Sequence, residues 1–371
     1  MSTNTVVLSL ALLASASTFA ADTAYQTLLK QGLHVEGFVP HQIIVNNNQT
    51  KIIRLMNITL SPMVAKKLAG RASDIIQNPY HVGMMNANDM PSMIRVGMNG
   101  EPVLDQGQWG TCATFSSSAA VNAMLSLSGD SETSQLCNLA VGRTLGNGAD
   151  GGWDGSFGYV VLGQIAQYGF VNKQYQHTHG CGGLKKYPVD SDDSGSAMPL
   201  AKFSANSSKT FTNNDWTPIL SYDGTFAPVD SAAATQALND VKKALNKGNR
   251  VVFGSLIDGN VGEVGATGTY NGIDNDTWVM TSAIQQDFQN DNPMEGHEII
   301  IDGYDDNACA TYIDNSKSVK QCGLLRIRNS WGASAGDQGD YYMSYDHFKG
   351  MVIEAYAIGK NVKNKFQSSV N

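Results

Sequence analysis

Charge is scarce in this 371-residue chain: Asp, Glu, Lys and Arg together make up 16% of it, and the net charge is -8. Without a basic excess there is no field to hold a phosphate backbone, so nucleic acid is not expected as a partner. Long apolar runs are equally few. The most apolar stretch stands at the amino terminus, in MSTNTVVLSLALLASASTFAADT, from Val6 to about Ala16. It is well short of the roughly 20 residues a spanning helix needs, so stable membrane insertion is not expected either. The apolar run is followed by small residues through Ala21, although it lacks a positive region ahead of it. It reads as a signal peptide over residues 1–21, cut near Ala20 or Ala21, which implies a secreted or extracytoplasmic protein. Cysteine is sparse and odd in number. With only Cys112, Cys137, Cys181, Cys309 and Cys322, an exported chain keeps at least one thiol without an intramolecular partner.

What is present divides along the chain. Gln42 to Val45 and Lys51 to Leu60 are β-prone runs around NNNQT, a hairpin signal. Ser61-Pro62 then supplies an N-cap and first-turn pair for a short helix over MVAKKLAGRASDII, with Val64 and Leu68 on one face. Polar coil runs from Asn78 to Met90, and residues 22–90 read as a separate module. Thr111 to Ser128 places Phe115, Ala119, Ala123 and Leu127 at steps of four, with Ser and Ala opposite, as suits a buried helix. A second helix is expected over SFGYVVLGQIAQYGF, loop from Lys185 to Asn214, and an amphipathic helix on Leu238, Val241 and Leu245 that Gly248 ends. Beyond it VVFGSL, HEIIIDGY and LLRIRN read as strands. A helical first half and a strand-rich second half predict two lobes with a groove between them.

The chemistry centres on DQGQWGTCATF, Asp105 to Phe115. Cys112 stands where the predicted helix begins, and a helix N-terminus with a nearby imidazolium lowers a thiol's pKa. His297 opens the strand HEIIIDGY and Asn329 closes LLRIRN, with Cys309 and Cys322 between them. If the two strands form a hairpin closed by a Cys309–Cys322 bridge, the two pairs share nearly the same midpoint. His297 and Asn329 then become near cross-strand neighbours, allowing for a bulge. An Asn beside a His fixes the ring's tautomer and leaves the other nitrogen for a thiol.

These residues resemble the papain family of cysteine peptidases, over roughly Pro91 to Phe348. The resemblance implies an α+β, papain-like two-lobe fold: residues 91–371, with a helical lobe over about 103–200 and a β-barrel-like lobe over about 201–371. It implies a peptidase working through a thiol acyl-enzyme, with catalytic Gln106, Cys112, His297 and Asn329. Gln106 stands six residues ahead of the nucleophile, where the family places an oxyanion-hole glutamine. Gly151 and Gly152 fall on the family's substrate-pairing glycine segment, and Trp331, in RNSWG, where an indole covers the His–Asn pair. Cys137–Cys181 and Cys309–Cys322 become the bridges, leaving Cys112 free with a depressed pKa. With Cys181 so engaged, HTHGC at His177 to Cys181 is not expected to hold a metal, and no cofactor is implied. The expected partners are peptide or protein substrates, and the expected state is monomeric.

Two departures carry expectations of their own. The family's usual C-G-[SA]-C-[WY] reads Trp109-Gly110-Thr111-Cys112-Ala113 here, and the partner of the missing cysteine would fall at Ala149, so Trp109 is expected to pack over Ala149. The separation of Cys112 and His297 exceeds the family's roughly 130–150 residues, much of the excess lying in Asp258 to Glu295, expected near the groove. Residues 22–90 lack the long charged helix of familiar propeptides, and a pro-like role, with the Asn78–Met90 coil laid along the cleft, is expected of them. The competing readings are an inactive peptide-binding relative, and a transpeptidase or deamidase using the same acyl-enzyme. An inactive binder would be free to lose its oxidisable thiol, which weighs against the first of these.

Overall fold

The computed structural model of the chain describes residues 32–80, 90–126, 132–148, 153–222, 228–258, 267–268 and 276–362. The leader, Ala149, Gly151, Gly152 and most of the coil after Asn78 lie outside them, so the expectations placed there are not addressed below.

The two β-prone runs form a longer hairpin than their composition marks. Strand β1 (Leu33–Val45) pairs antiparallel with β2 (Gln49–Leu60) through a tight 3-10 turn at Asn46–Asn48, in register from Val45 opposite Gln49 to Leu33 opposite Leu60. Helix α1 (Pro62–Gln77) follows, its first turn capped by the Ser61 hydroxyl, which accepts from the Val64 amide. One face of α1 buries Val64, Leu68, Ala72 and Ile75.

That face explains why the expected separate module is not separate. Leu33, Met56, Ile58 and Leu60 of the hairpin and the buried face of α1 form one apolar cluster with Leu256, Met280, Ile284, Phe288 and Met351 from the second half of the chain. A hairpin and one helix cannot bury an apolar face of this size by themselves, so it is completed by distant residues.

The helical part comprises α2 (Cys112–Leu125), α3 (Gln135–Leu145), α4 (Gly158–Tyr168), α5 (Lys173–His179) and α6 (Leu200–Ser204). Every residue of α2 is buried, as its lack of charge requires. A Cys137–Cys181 disulfide ties α3 to the segment after α5.

The remainder is built on a sheet in the order β4-β11-β5-β8-β9-β10-β7. Its strands are β4 (Trp216–Leu220), β5 (Arg250–Ile257), β7 (Thr277–Trp278), β8 (Met294–Asp314), β9 (Lys317–Arg328), β10 (Asp340–Ser344) and β11 (Val352–Ile358). Along this path the pairs are antiparallel except β10 with β7. Two short strands, β3 (Met93–Arg95) and β6 (Thr267–Gly268), attach to β8. Helices α7 (Ser231–Asn246), α8 (Ser282–Gln289) and α9 (Tyr345–Met351) complete the chain. The architecture is α+β, with a helical lobe and a sheet-based lobe. Helix α2 lies where they meet: Ala113, Ala120 and Val121 share a core with Val252 and Ile300 of the central strands.

Strands β8 and β9 form the hairpin anticipated from the cysteines. Cys309 lies opposite Cys322 and is bonded to it, while Ile300 lies opposite Arg328, with register shifts at Ile301/Gly303 and Asp305/Cys309. Of the long insertion after Asp258, α8 packs its Ile284 and Phe288 into the cluster around α1. The loop over Lys185 to Asn214 contains one short helix, α6.

Candidate active site

Cys112 opens α2 and His297 lies near the start of β8; both line a cavity of about 20 Å3 together with Gly254, Ser255 and Glu298. That is room for about one water. Asn329 follows β9 directly, and its side-chain oxygen is 2.8 Å from His297 Nε2. In the register that sets Ile300 opposite Arg328, His297 and Asn329 are diagonal neighbours, which lets the side chains meet.

The orientation of this pair follows from its partners. Asn329 Oδ1 also accepts the Ser330 backbone N–H at 2.7 Å, so that atom is the oxygen and not the nitrogen of the amide. His297 Nε2 therefore carries the hydrogen. In a neutral imidazole the other nitrogen is then an acceptor, and His297 Nδ1 has no hydrogen-bond partner among the described residues. Trp331 stacks over the ring with centroids 4.8 Å apart and is itself buried, packed also against Trp278 and Tyr341. Named above with the substrate-contacting residues, it spends its surface on the imidazole and its aromatic neighbours.

Gln106 is fully buried and heavily bonded. Its Nε2 donates to the Trp109 carbonyl at 2.8 Å, and its Oε1 accepts from the Ser330 hydroxyl at 2.6 Å. One amide hydrogen remains for another acceptor. Trp109, expected over Ala149, sits edge-on to Trp153 and donates its indole N–H to the Pro188 carbonyl. Cys112 is the one free cysteine among the described residues.

The electrostatics differ from the expectation of a depressed thiol. Burial pushes the Cys112 thiol up to about 12, against smaller opposing help from the backbone N–H groups of Glu298 and Ala113. Burial likewise lowers His297 to about 4, with the Asn329 hydrogen bond pulling the other way. Desolvation disfavours the charged form of both groups, so the pair rests as neutral thiol and neutral imidazole.

The cause is the hairpin of residues 33–60, which sequence reasoning did not place here. Strand β2 adds to the edge of β8 beside the histidine, with Met56 opposite Gly296 and Ile58 opposite Met294. Met56 and Ile58 line the same cavity as Cys112 and His297. Across the groove, the Phe38 ring fits against Gly110, where an added Cβ would come within 2.8 Å of it. Lys51 Nζ reaches both oxygens of Asp105 at 2.5 Å and the Trp331 carbonyl at 2.9 Å. His41 meets Glu295 at 2.7 Å, and Arg54 lies 3.6 Å from the buried Asp154 and over the Trp109 ring. The coil at Asn78 to Met90, expected along the cleft, lies largely outside the described residues; the hairpin makes the cleft contacts instead.

No family model and no curated protein matches the chain. Among solved structures it is similar to xylellain, a cysteine protease from Xylella fastidiosa, at 16% identity and a TM-score of 0.47, covering 73% of this chain and 87% of that one. It is similar to digestive procathepsin L 3 of Tenebrio molitor larval midgut at 17% identity and a TM-score of 0.44, covering 80% and 79%. The Carica candamarcensis cysteine protease CMS1MS2, in complex with E-64, aligns at 18% identity and a TM-score of 0.44, covering 73% and 100%.

Proposed function

We propose that the chain is an exported, papain-like cysteine peptidase that hydrolyses peptide bonds through an acyl-enzyme on Cys112, and that residues 33–60 keep it silent until the hairpin lifts. The observation that supports this best is the bare, acceptor-oriented Nδ1 of His297 in the cavity that Cys112 also lines.

The residues perform the chemistry as follows. Once water re-enters, the desolvation that holds both groups neutral is relieved, and the thiol proton moves to His297 Nδ1. The sulfur attacks the peptide carbonyl carbon, and negative charge develops on the carbonyl oxygen. The Cys112 backbone N–H and the spare amide hydrogen of Gln106 are the donors available to it. His297 returns the proton from Nδ1 to the departing amine, leaving a thioester. Water then loses a proton to the same nitrogen and attacks the thioester, and the sulfur leaves as thiolate. Asn329 keeps the ring in one tautomer through both halves, and Trp331 excludes water from that hydrogen bond. Peptide-library digestion by the full chain, read by mass spectrometry, tests this. Wild type is expected to give cleaved products and Cys112→Ala none; equal products from both would refute the assignment.

A further inference from the structure

Behind the nucleophile lies a pair of acids that the mechanism above does not use. Glu298 lines the cavity with Cys112 and His297, and its carboxyl is buried against that of Glu354 on β11. Glu354 is well supplied with donors: the Gly158 amide at the start of α4 donates to Oε1 and the Tyr356 hydroxyl to Oε2, both at 2.8 Å. Glu298 is not, for its Oε1 has no hydrogen-bond partner. No lysine or arginine among the described residues forms an ion pair with either acid, although every other deeply buried carboxylate of the sheet's central ion cluster, Asp302 and Asp340, has an arginine.

The backbone reserves space for this pair. A Cβ on Gly158 would stand 2.3 Å from Glu298 Oε1, and one on Gly254 would stand 2.9 Å from Oε2. Two adjacent carboxyls in a dry site share a proton at a cost in stability, since both cannot ionise without a counter-charge. The remaining wall of the cavity is apolar: Phe157 and Ile353 belong to the body of the protein, and Met56 and Ile58 to the hairpin. Lifting the hairpin removes those two side chains and leaves a slot with greasy sides and an acidic floor beside the reacting thiol. A long aliphatic stem with a cationic tip fits that description, and a cation can take the place of the shared proton.

We infer that Glu298 and Glu354 make this slot selective for a lysine or arginine side chain of the substrate, at a residue flanking the scissile bond. The inference rests on the peptidase reading and names its substrate class. The test is a positional-scanning peptide library cleaved by the full chain, comparing wild type with Glu298→Gln and Glu354→Gln. Wild type should favour Lys or Arg over Leu at one flanking position by about tenfold or more, and each Gln variant should lower that ratio about tenfold. Agmatine, a small guanidinium compound, should also inhibit wild-type cleavage of a neutral peptide competitively, a readout that needs no variant to fold. Cleavage without a basic preference at any position, a preference that survives in both variants, or indifference to agmatine overturns the inference and leaves the peptidase reading standing. A chain that cleaves nothing overturns both.

Discussion

Replacing Lys51 by Met should unlatch the hairpin without touching the chemistry. The Lys51 ammonium is bound by the Asp105 carboxylate and the Trp331 carbonyl, and joins the hairpin to the two sides of the groove at once. A charge-assisted hydrogen bond contributes about 1.5–3 kcal/mol. Asp105 is 34% exposed and can rehydrate when its partner leaves, so the loss is discounted to about 1–2 kcal/mol. At 1.4 kcal/mol per factor of ten, the open population should rise about five- to thirtyfold. Cys112 is buried beneath Met56 and Ile58, so a thiol reagent can reach it only from the open form. Iodoacetamide labelling of Cys112, followed by peptide mass spectrometry under native conditions, should therefore accelerate by that factor, and initial peptidase rates should rise with it. A labelling rate equal to wild type in a folded Lys51→Met protein would refute the hairpin as the barrier.

Three further outcomes follow from the geometry. Asn329→Ala removes the hydrogen bond to the His297 ring and should lower kcat/KM about 10- to 150-fold, mainly through kcat, in steady-state assays. His347 is buried with Nδ1 unpartnered, and burial lowers it to about 3 as it lowers His297 to about 4. The unfolded chain then binds protons first as pH falls below 6.5, so each histidine's share of stability is complete above that pH and lost toward the folded pKa. Urea titrations should show His347→Leu with a slope shallower than wild type by about 1.4 kcal/mol per pH unit in the acid limb. The two bridges close spans of 44 and 13 residues, so loss of Cys137–Cys181 should cost about 4 kcal/mol and loss of Cys309–Cys322 about 3, by chemical denaturation of the paired alanine variants.

The chemistry was more legible than the packing around it. Cys112, His297 and Asn329 could be found because each must be of one residue type, and the cysteine pair at 309 and 322 betrayed the register that brings two of them together. The amphipathic stretches over Pro62–Gln77 and Ser231–Asn246 also declared themselves, since each has one wet face. Helix α3 did not, because eight of its eleven residues are buried and its apolar positions have no periodic polar counterpart. Strand β11 is buried throughout, and a short apolar run of that kind has no alternation to read. The docking of β2 on β8 was invisible for another reason. It is made by backbone groups more than two hundred residues apart, and any two extended segments can form such bonds. Its one local trace is Gly296, where a Cβ would strike Ile58. The thiol's raised pKa was hidden with it, since it is the covering hairpin that dries the site.

The shared cluster beneath α1 limits how this molecule can be switched on. Val64, Leu68 and Ile75 are wedged among Ile284, Phe288 and Met351, and burying each such aliphatic side chain is worth about 1.5–3 kcal/mol. A proteolytic nick between Tyr80 and Met90 would therefore cut the tether without expelling what it held, and full departure would bare a sticky surface inviting aggregation. The economical motion is a swing of the β-arm about Leu60 and Ser61 while the helix stays anchored. Such a door closes again on the same hinge, so a single molecule can be opened, used and shut.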